Sequence, residues 1–396
     1  MISGMIVRIY VLRNGYGLII KQKMRNKLKV LFIITKSEIG GAQTHLMEVV
    51  RYMHHAGHDV LVVTGTTGWL TNELATIGVD YKILPDLVRE INPAKDIKTI
   101  NSICHILEDK QPDIIHCHSS KAGIVGRIAG AIKNIPAVFT AHGWAFTSGV
   151  SPAKRVIYAA IEHMMLVITR KVICVSEFDR QLAKIWFLHN YNKIVTIHNG
   201  IVDKSFNSNI VREYSLPLKL VSIARFSRQK NNMELIRAVE QINKLYSGSL
   251  QLNMVGDGPL LSEAQAYVTS HKLENDVHFL GSRTDVDDIL NQNDIFCLIS
   301  NYEGLPISII EAMRAGMPII ASDVGGVNEL VQDEVNGFLI PRGNISELVK
   351  KLEYILHNRE LIKFMGAASR EIYEKEYTAV QMNQKIHMVY NEIITI

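Results

Sequence analysis

Two carboxylates eight positions apart, Glu303 and Glu311, frame the part of this 396-residue chain best suited to chemistry. They lie in Ser300-Asn301-Tyr302-Glu303-Gly304-Leu305-Pro306-Ile307-Ser308-Ile309-Ile310-Glu311-Ala312-Met313, directly after an apolar run at 295–299 that reads as a buried strand. Pro306 suits the first turn of a helix, where its missing N–H costs nothing, and Gly316 suits the position just past that helix's end. The helix start therefore falls at Leu305 to Ile307, where unpaired backbone N–H groups and the helix dipole attract a diphosphate. Glu303 sits in the loop before the helix and Glu311 more than a turn inside it. One carboxylate can then reach a sugar while the other reaches ribose hydroxyls.

A cationic loop, Arg225-Phe226-Ser227-Arg228-Gln229-Lys230-Asn231, follows a strand expected at 220–224. Arg225 and Lys230 can neutralise the two phosphates of a nucleotide-sugar leaving group without a metal. Gly40-Gly41-Ala42-Gln43 lies between the first strand, expected at 30–34, and a helix at 44–54. Glycines there let backbone approach a phosphate. The motif is not GxGxxG and no acidic residue clearly serves a ribose after it, which disfavours a dehydrogenase.

Three histidines complete the set. His116 and His118, two apart on a strand, project to one face and suggest a metal pair, yet no third ligand stands at a recognised zinc spacing. Hydrogen-bonding or packing roles are the stronger reading for the pair, and no metal is assigned. His142, in Thr140-Ala141-His142-Gly143-Trp144 after another strand, points into the same cleft, a place to bind a sugar hydroxyl or an acceptor. Asp285-Val286-Asp287 matches the acidic metal motif of other transferases by letter only, and reads as the cap of a helix.

The elements that must position these residues alternate. Strands are expected at 30–34, 60–63, 114–116, 137–140, 171–175 and 194–197, then at 220–224, 250–255, 277–280, 295–299 and 318–321, with helical patterns between most of them. Such alternation argues for parallel sheets covered on both faces. The break falls near 198–217, a polar stretch bounded by Asn199-Gly200 and Pro217. Two doubly wound domains joined there leave a cleft between the carboxyl ends of their strands, where open α/β sheets bind ligands.

About half the residues are apolar and a fifth charged, the balance of a soluble globular protein, and a net charge of +4 is too small to argue for nucleic acid. No Asp or Glu precedes Glu38, while eight Lys and Arg residues fall in that stretch. The basic, partly apolar N-terminus reads either as a membrane-surface element or as an extension ahead of a start at Met24. Cys104, Cys117, Cys174 and Cys297 are scattered without a CxxC and read as buried thiols in a reducing compartment. No run of ~18 uncharged apolar residues appears, so no spanning helix is expected, and the protein should be cytoplasmic, at most peripheral on the membrane. The segment from Lys154-Arg155 to Met165, with apolar residues at helical spacing, is a second candidate for membrane contact.

Taken together, these segments resemble family 4 retaining glycosyltransferases of the GT-B fold, especially bacterial capsule, exopolysaccharide and O-antigen enzymes. The resemblance runs from about Lys29 to Tyr390. It is carried by Gly40-Gly41-Ala42-Gln43, His118-Ser119-Ser120-Lys121-Ala122-Gly123, Thr140-Ala141-His142-Gly143, His198-Asn199-Gly200-Ile201, Ala224-Arg225-Phe226, Val255-Gly256-Asp257-Gly258-Pro259 and the Glu303-to-Glu311 segment. It implies two Rossmann-like domains facing across a cleft: an acceptor domain at 29–205, a nucleotide-sugar domain at 206–375, and a final helix at 376–396 crossing back to the first, with 1–28 as a basic extension.

By that analogy Arg225, Lys230 and the Gly41 loop hold the donor diphosphate together with the backbone at Leu305 and Ile307. Glu311 binds the ribose, Glu303 the donor sugar, and His142 the sugar close to the acceptor, while Gly281 lies near the base. The implied reaction moves a hexose or N-acetylhexosamine from a UDP-sugar to a polyprenyl-diphosphate-linked saccharide, with retention and without metal or cofactor. Gln43 departs from the Glu often found after the Gly-Gly-Ala turn. The competing readings are a GT-B nucleotide-sugar epimerase or hydrolase, and a catalytically silent glycan-binding relative.

Overall fold

The computed structural model describes residues 27–147, 150–204 and 215–395. The N-terminal basic stretch up to residue 26 and much of the expected linker lie outside the described residues.

The first half of the chain alternates strands and helices: β1 (Lys29–Ile34), α1 (Gly41–His55), β2 (Asp59–Thr64), α2 (Trp69–Thr76), β3 (Asp80–Ile83) and α3 (Pro93–Lys110). It continues with β4 (Ile114–His118), α4 (Ser120–Lys133), β5 (Ala137–Ala141), α5 (Pro152–Val167), β6 (Lys171–Cys174), α6 (Glu177–Trp186) and β7 (Ile194–Thr196). The seven strands of this sheet pair in parallel, in the order β3-β2-β1-β4-β5-β6-β7. Its central strands are buried along nearly their whole length, which is why they read as continuous apolar runs instead of alternating ones.

The second half repeats the plan with β8 (Leu218–Ile223), α7 (Asn232–Leu245), β9 (Leu250–Val255), α8 (Leu261–Ser270), β10 (Val277–Gly281) and α9 (Val286–Asn291). Then come β11 (Ile295–Leu298), α10 (Ile307–Arg314), β12 (Ile319–Ser322), α11 (Val327–Leu330), β13 (Gly337–Ile340), α12 (Ile345–His357) and α13 (Glu360–Glu376). The six strands run in the order β10-β9-β8-β11-β12-β13. In both sheets the strand order therefore reverses beside the first strand, between β1 and β4 and between β8 and β11. Those two reversals open crevices at the strands' carboxyl ends, and doubly wound sheets bind ligands there.

The last helix, α14 (Ala379–Ile394), leaves the second domain and covers one face of the first sheet. Met382, Ile386, Val389, Tyr390 and Ile393 share a core with Val30, Phe32, Leu46 and Val50. Thr378 starts it with a capping box: its hydroxyl oxygen accepts from the Gln381 N–H and the Gln381 side-chain oxygen accepts from the Thr378 N–H. The segment that leaves the first domain after β7 and the one entering α14 are bridged at Ile201 and Thr378, with the Ala379 N–H donating to the Ile201 carbonyl at 2.7 Å.

Asp285 lies at a helix start, where the sequence places it, but it caps that helix by position alone. It occupies the N-cap position of α9 but its carboxylate makes no cap hydrogen bond; it is engaged by Arg283 Nε at 2.7 Å. Asp287, in the first turn of α9, pairs with Lys204 and Arg314, so the acidic pair at this helix start also anchors basic side chains.

Candidate active site

The two crevices face each other. At the carboxyl end of β1, the Gly40-Gly41 turn enters α1; at the carboxyl end of β11, residues 299–306 enter α10. A Cβ built on Gly41 lies 3.9 Å from Ile307 Cδ1, so the two helix starts meet across the cleft. Neither first turn carries an acidic residue, which leaves both dipoles unneutralised at the same place. Pro306 stands just before the first helical residue, and Gly316 follows the helix with φ of 67°, the left-handed conformation that glycine adopts freely. Gln43 is spoken for: its amide donates to the Lys36 carbonyl at 3.0 Å, tying the end of β1 to the first turn of α1.

The cationic loop and the Glu303 loop form one surface. The Asn301 N–H donates to the Gln229 carbonyl at 2.7 Å, Gln229 Nε2 donates to the Tyr302 carbonyl at 3.0 Å, and Asn301 Nδ2 donates to the Arg228 carbonyl at 2.7 Å. This zipper brings Lys230 Nζ to 2.6 Å from Glu303 Oε1, with the lysine side chain 17% and the glutamate 5% exposed. Arg225 projects into solvent at the end of β8. Glu303 is held from behind as well: Gly325, at φ of 59°, approaches so closely that a Cβ there would lie 1.9 Å from the Glu303 carbonyl oxygen.

Glu311 faces α1 from inside α10. Burial is the main cause that pushes its carboxyl up to about 7, with Arg314 pulling the other way and Asp287 and Glu48 adding to the rise. Glu48, on α1, is buried and pushed up to about 6 for the same reason. Gly281 ends β10 with φ of 64°, and its carbonyl accepts from the Gly256 N–H at 2.8 Å.

His142 reaches the cleft from the loop after β5, where a Cβ built on Gly304 would lie 3.0 Å from its carbonyl oxygen. Its Nε2 is 3.1 Å from His118 Nδ1, and burial holds both rings well below the usual imidazole range. His116 does not share that role. Tyr390 Oη lies 2.5 Å from its Nδ1 and Thr140 Oγ1 2.7 Å from its Nε2, which makes it part of the packing under α14. The third member of the group is His45, on α1, whose ring centroid is 4.8 Å from that of His142.

Several residues of this region were not singled out by sequence. Asn199 joins three elements: His45 Nδ1 lies 2.9 Å from its Oδ1, and its Nδ2 donates to the Leu305 carbonyl at 2.8 Å. Glu329 clamps the second domain to the first. It accepts from the Glu177 and Phe178 N–H groups at the start of α6, at 2.7 and 2.8 Å, and meets His198 Nε2 at 2.8 Å. His45 and Glu48 sit in the amphipathic helix α1 and Glu329 in the short helix α11, so only the docking of the two domains reveals them; the His198-Asn199-Gly200 motif was the one available signal.

Comparison with known proteins gives a consistent picture. Residues 39–204 match the family described as Glycosyltransferase Family 4, and residues 203–372 match Glycosyl transferases group 1. The chain is 29% identical over 382 residues to the UDP-Gal:alpha-D-GlcNAc-diphosphoundecaprenol alpha-1,3-galactosyltransferase of Escherichia coli, covering 93% of this chain and 98% of that one. It is 28% identical over 355 residues to the O-antigen biosynthesis glycosyltransferase WbnH of Escherichia coli, covering 88% and 98%. Among solved structures, HepE of Anabaena in complex with UDP and glucose has a TM-score of 0.77 at 22% identity, covering 92% and 99% of the two chains. The lipopolysaccharide outer core galactosyltransferase WaaB, in its apo form, has a TM-score of 0.68 at 18% identity, covering 92% and 100%. The last two are likenesses of fold.

Proposed function

The chain belongs to the family 4 glycosyltransferases of the GT-B fold, and from that premise we propose that it transfers a hexose or N-acetylhexosamine from a UDP-sugar to a polyprenyl-diphosphate-linked saccharide, with retention. The observation that carries the donor side is the convergence of two acid-free helix starts with the zipped Lys230–Glu303 surface. A diphosphate placed there meets the first-turn N–H groups of α10, including those near Leu305 and Ile307, the Gly41 turn, Lys230 and the Arg225 side chain. Those groups match the charge that develops on the leaving phosphate, so the proposed chemistry needs no metal. The Escherichia coli relative that takes UDP-Gal and a GlcNAc-diphosphoundecaprenol acceptor supports both the donor and acceptor classes.

In this reading Glu311 accepts hydrogen bonds from the ribose hydroxyls, Gly281 lies beside the base, and Glu303 accepts from hydroxyls of the transferred sugar. His142 contacts that sugar from the acceptor side. The acceptor hydroxyl attacks the anomeric carbon on the face from which the diphosphate departs. The bond from that carbon to the phosphate oxygen breaks, and the departing oxygen takes the hydroxyl proton.

The acceptor's lipid suggests a membrane-facing surface. α5 exposes Val156, Ile157, Met164 and Val167 on its outer side, and Ile185 and Leu188 at the end of α6 are 79% and 68% exposed. Exposed Lys154, Arg170 and Lys184 accompany them. We assign this patch to the acyl and headgroup boundary of an anionic membrane at the cytoplasmic face. No described helix is long and apolar enough to cross a membrane.

A panel of nucleotide sugars screened by thermal stabilisation tests the donor assignment, because a ligand of the native state raises stability by mass action. UDP-sugars are expected to raise the melting temperature and other nucleotide sugars to raise it less. Rapid epimerisation or UDP release without acceptor would replace transfer by the epimerase or hydrolase reading, and no stabilisation by any nucleotide sugar would revive the silent one.

A further inference from the structure

His45, His118 and His142 meet where α1, β4 and the loop after β5 come together. One nitrogen of each ring lies within 4.8 Å of one from each of the other two. His45 and His118 are fully buried and His142 is half-buried, toward the cleft.

Counting hydrogens shows an incomplete cluster. The side-chain amide of Asn199 donates to the Leu305 carbonyl, so its Oδ1 faces His45 and accepts from Nδ1. A neutral His45 then carries its hydrogen on Nδ1 and presents a bare lone pair on Nε2. That Nε2 is buried and has no hydrogen-bond partner, and the same is true of His118 Nε2. One hydrogen, shared between His118 Nδ1 and His142 Nε2 at 3.1 Å, holds the other two rings together. His116 is the contrast within the same strand. Its ring lies 4.3 Å from that of His118, yet both of its nitrogens are satisfied.

We propose that His45, His118 and His142 form a binding site for a divalent transition cation, Zn²⁺ by preference, with a fourth coordination position open to the cleft. Imidazole nitrogens select zinc, copper, nickel and cobalt over magnesium and calcium, which prefer oxygen ligands. Tetrahedral zinc with bonds of ~2.0–2.1 Å separates its ligand nitrogens by roughly 3.3 Å. His118 Nδ1 and His142 Nε2, 3.1 Å apart, already fit that edge, and the ligand nitrogens of the three rings, all within 4.8 Å of one another, must draw together at His45 to complete the set. The bond from His45 Nδ1 to Asn199 is the outer contact that orients a metal-bound imidazole and fixes its tautomer. A cation there occupies the His142 nitrogen, so a loaded site acts as a brake on transfer. That last consequence rests on the proposed contact between His142 and the donor sugar.

Cobalt titration of the chelator-treated full chain tests the site without any turnover. The expected result is one Co²⁺ per chain with the intense visible bands of four-coordinate cobalt, displaced by Zn²⁺. H45Q and H142Q should each abolish those bands, and Asn199→Ala should weaken binding by ~10–100-fold. H142Q changes a half-buried loop residue, so it keeps the test valid if H45Q unfolds, which circular dichroism would show. Absence of stoichiometric cobalt, or bands unchanged in both histidine variants, overturns the site. Zn²⁺ should also inhibit sugar transfer reversibly, with recovery on adding chelator. Full activity of the zinc-loaded protein would overturn the brake while leaving the site. Because the cobalt bands need no substrate, their loss and a failure of the glycosyltransferase reading are separately visible.

Discussion

Removing Lys230 tests whether the pair with Glu303 serves the fold or the donor. The two charges sit 2.6 Å apart, and neither side chain is more than 17% exposed. An exposed ion pair contributes ~0.2–1 kcal/mol, whereas breaking a buried one costs ~3–5 kcal/mol. Lys230 retains some solvent contact, so K230M should destabilise the protein by about 2 kcal/mol, which leaves most domains of this size folded. The effect on catalysis should be larger. Losing one preorganised electrostatic contact to the leaving group costs ~10²–10³ in turnover, or ~2.7–4 kcal/mol. The double variant K230M/E303Q separates the two roles. It leaves no unpaired charge behind, so stability should return toward that of the parent protein, while turnover stays at least ~100-fold down. Urea unfolding and steady-state release of UDP measure the two quantities on the same preparations. Near-parental turnover in K230M, or turnover that recovers with stability in the double variant, would refute the assignment of Lys230 to the diphosphate.

The raised carboxyl of Glu311 gives a pH signature. Its folded value of about 7 lies above the ordinary 4.5, so the native state holds the extra proton and stability falls as pH rises through that window. E311Q should therefore melt higher than the parent at pH 8 and equally at pH 4, while binding a UDP-sugar more weakly; a melting difference that is the same at both pH values would count against it. Glu329→Ala should raise the donor KM more than it lowers kcat, because it releases the clamp on α6 and His198, and an unchanged KM would show that the clamp does not govern closure. Thr378→Ala removes the cap of α14 and should lower stability by ~1 kcal/mol in a denaturant titration, whereas no change would mean packing alone sets the start of that helix. V156E together with I157E should abolish flotation with anionic liposomes without altering the melting temperature; undiminished flotation would move the membrane contact elsewhere.

The fold was legible because buried parallel strands are largely apolar: β1 and β11 show it as continuous runs, while β8 and β9 show it as apolar positions interrupted by polar ones. β3 does not. It is an edge strand, Asp80–Ile83, exposed along its length, and its sequence carries no apolar run. β13 is four residues opening on Gly337, too short for a period to show. Within the site, residues flanking strand ends could be placed in one cleft because doubly wound sheets collect their carboxyl ends there. The ion pair between Lys230 and Glu303 joins loops 73 residues apart, and no local pattern encodes it. His45 is hidden for the same reason. On α1 it reads as one more core residue, and its relation to His118, His142 and Asn199 exists only once helix, sheet and interdomain segment have packed. His116 shows the converse: two histidines on one strand face share a direction but not a set of partners, and its bonds to Tyr390 and Thr140 fit the hydrogen-bonding and packing role read for it.

The most direct test of the account is to incubate the protein with a UDP-sugar and a polyprenyl-diphosphate-linked saccharide and to identify the product by mass and anomeric configuration. The expected product is a lipid extended by one sugar in α linkage, formed without added metal and lost in K230M. UDP-sugar consumed with no extended lipid, or a β-linked product, would contradict it.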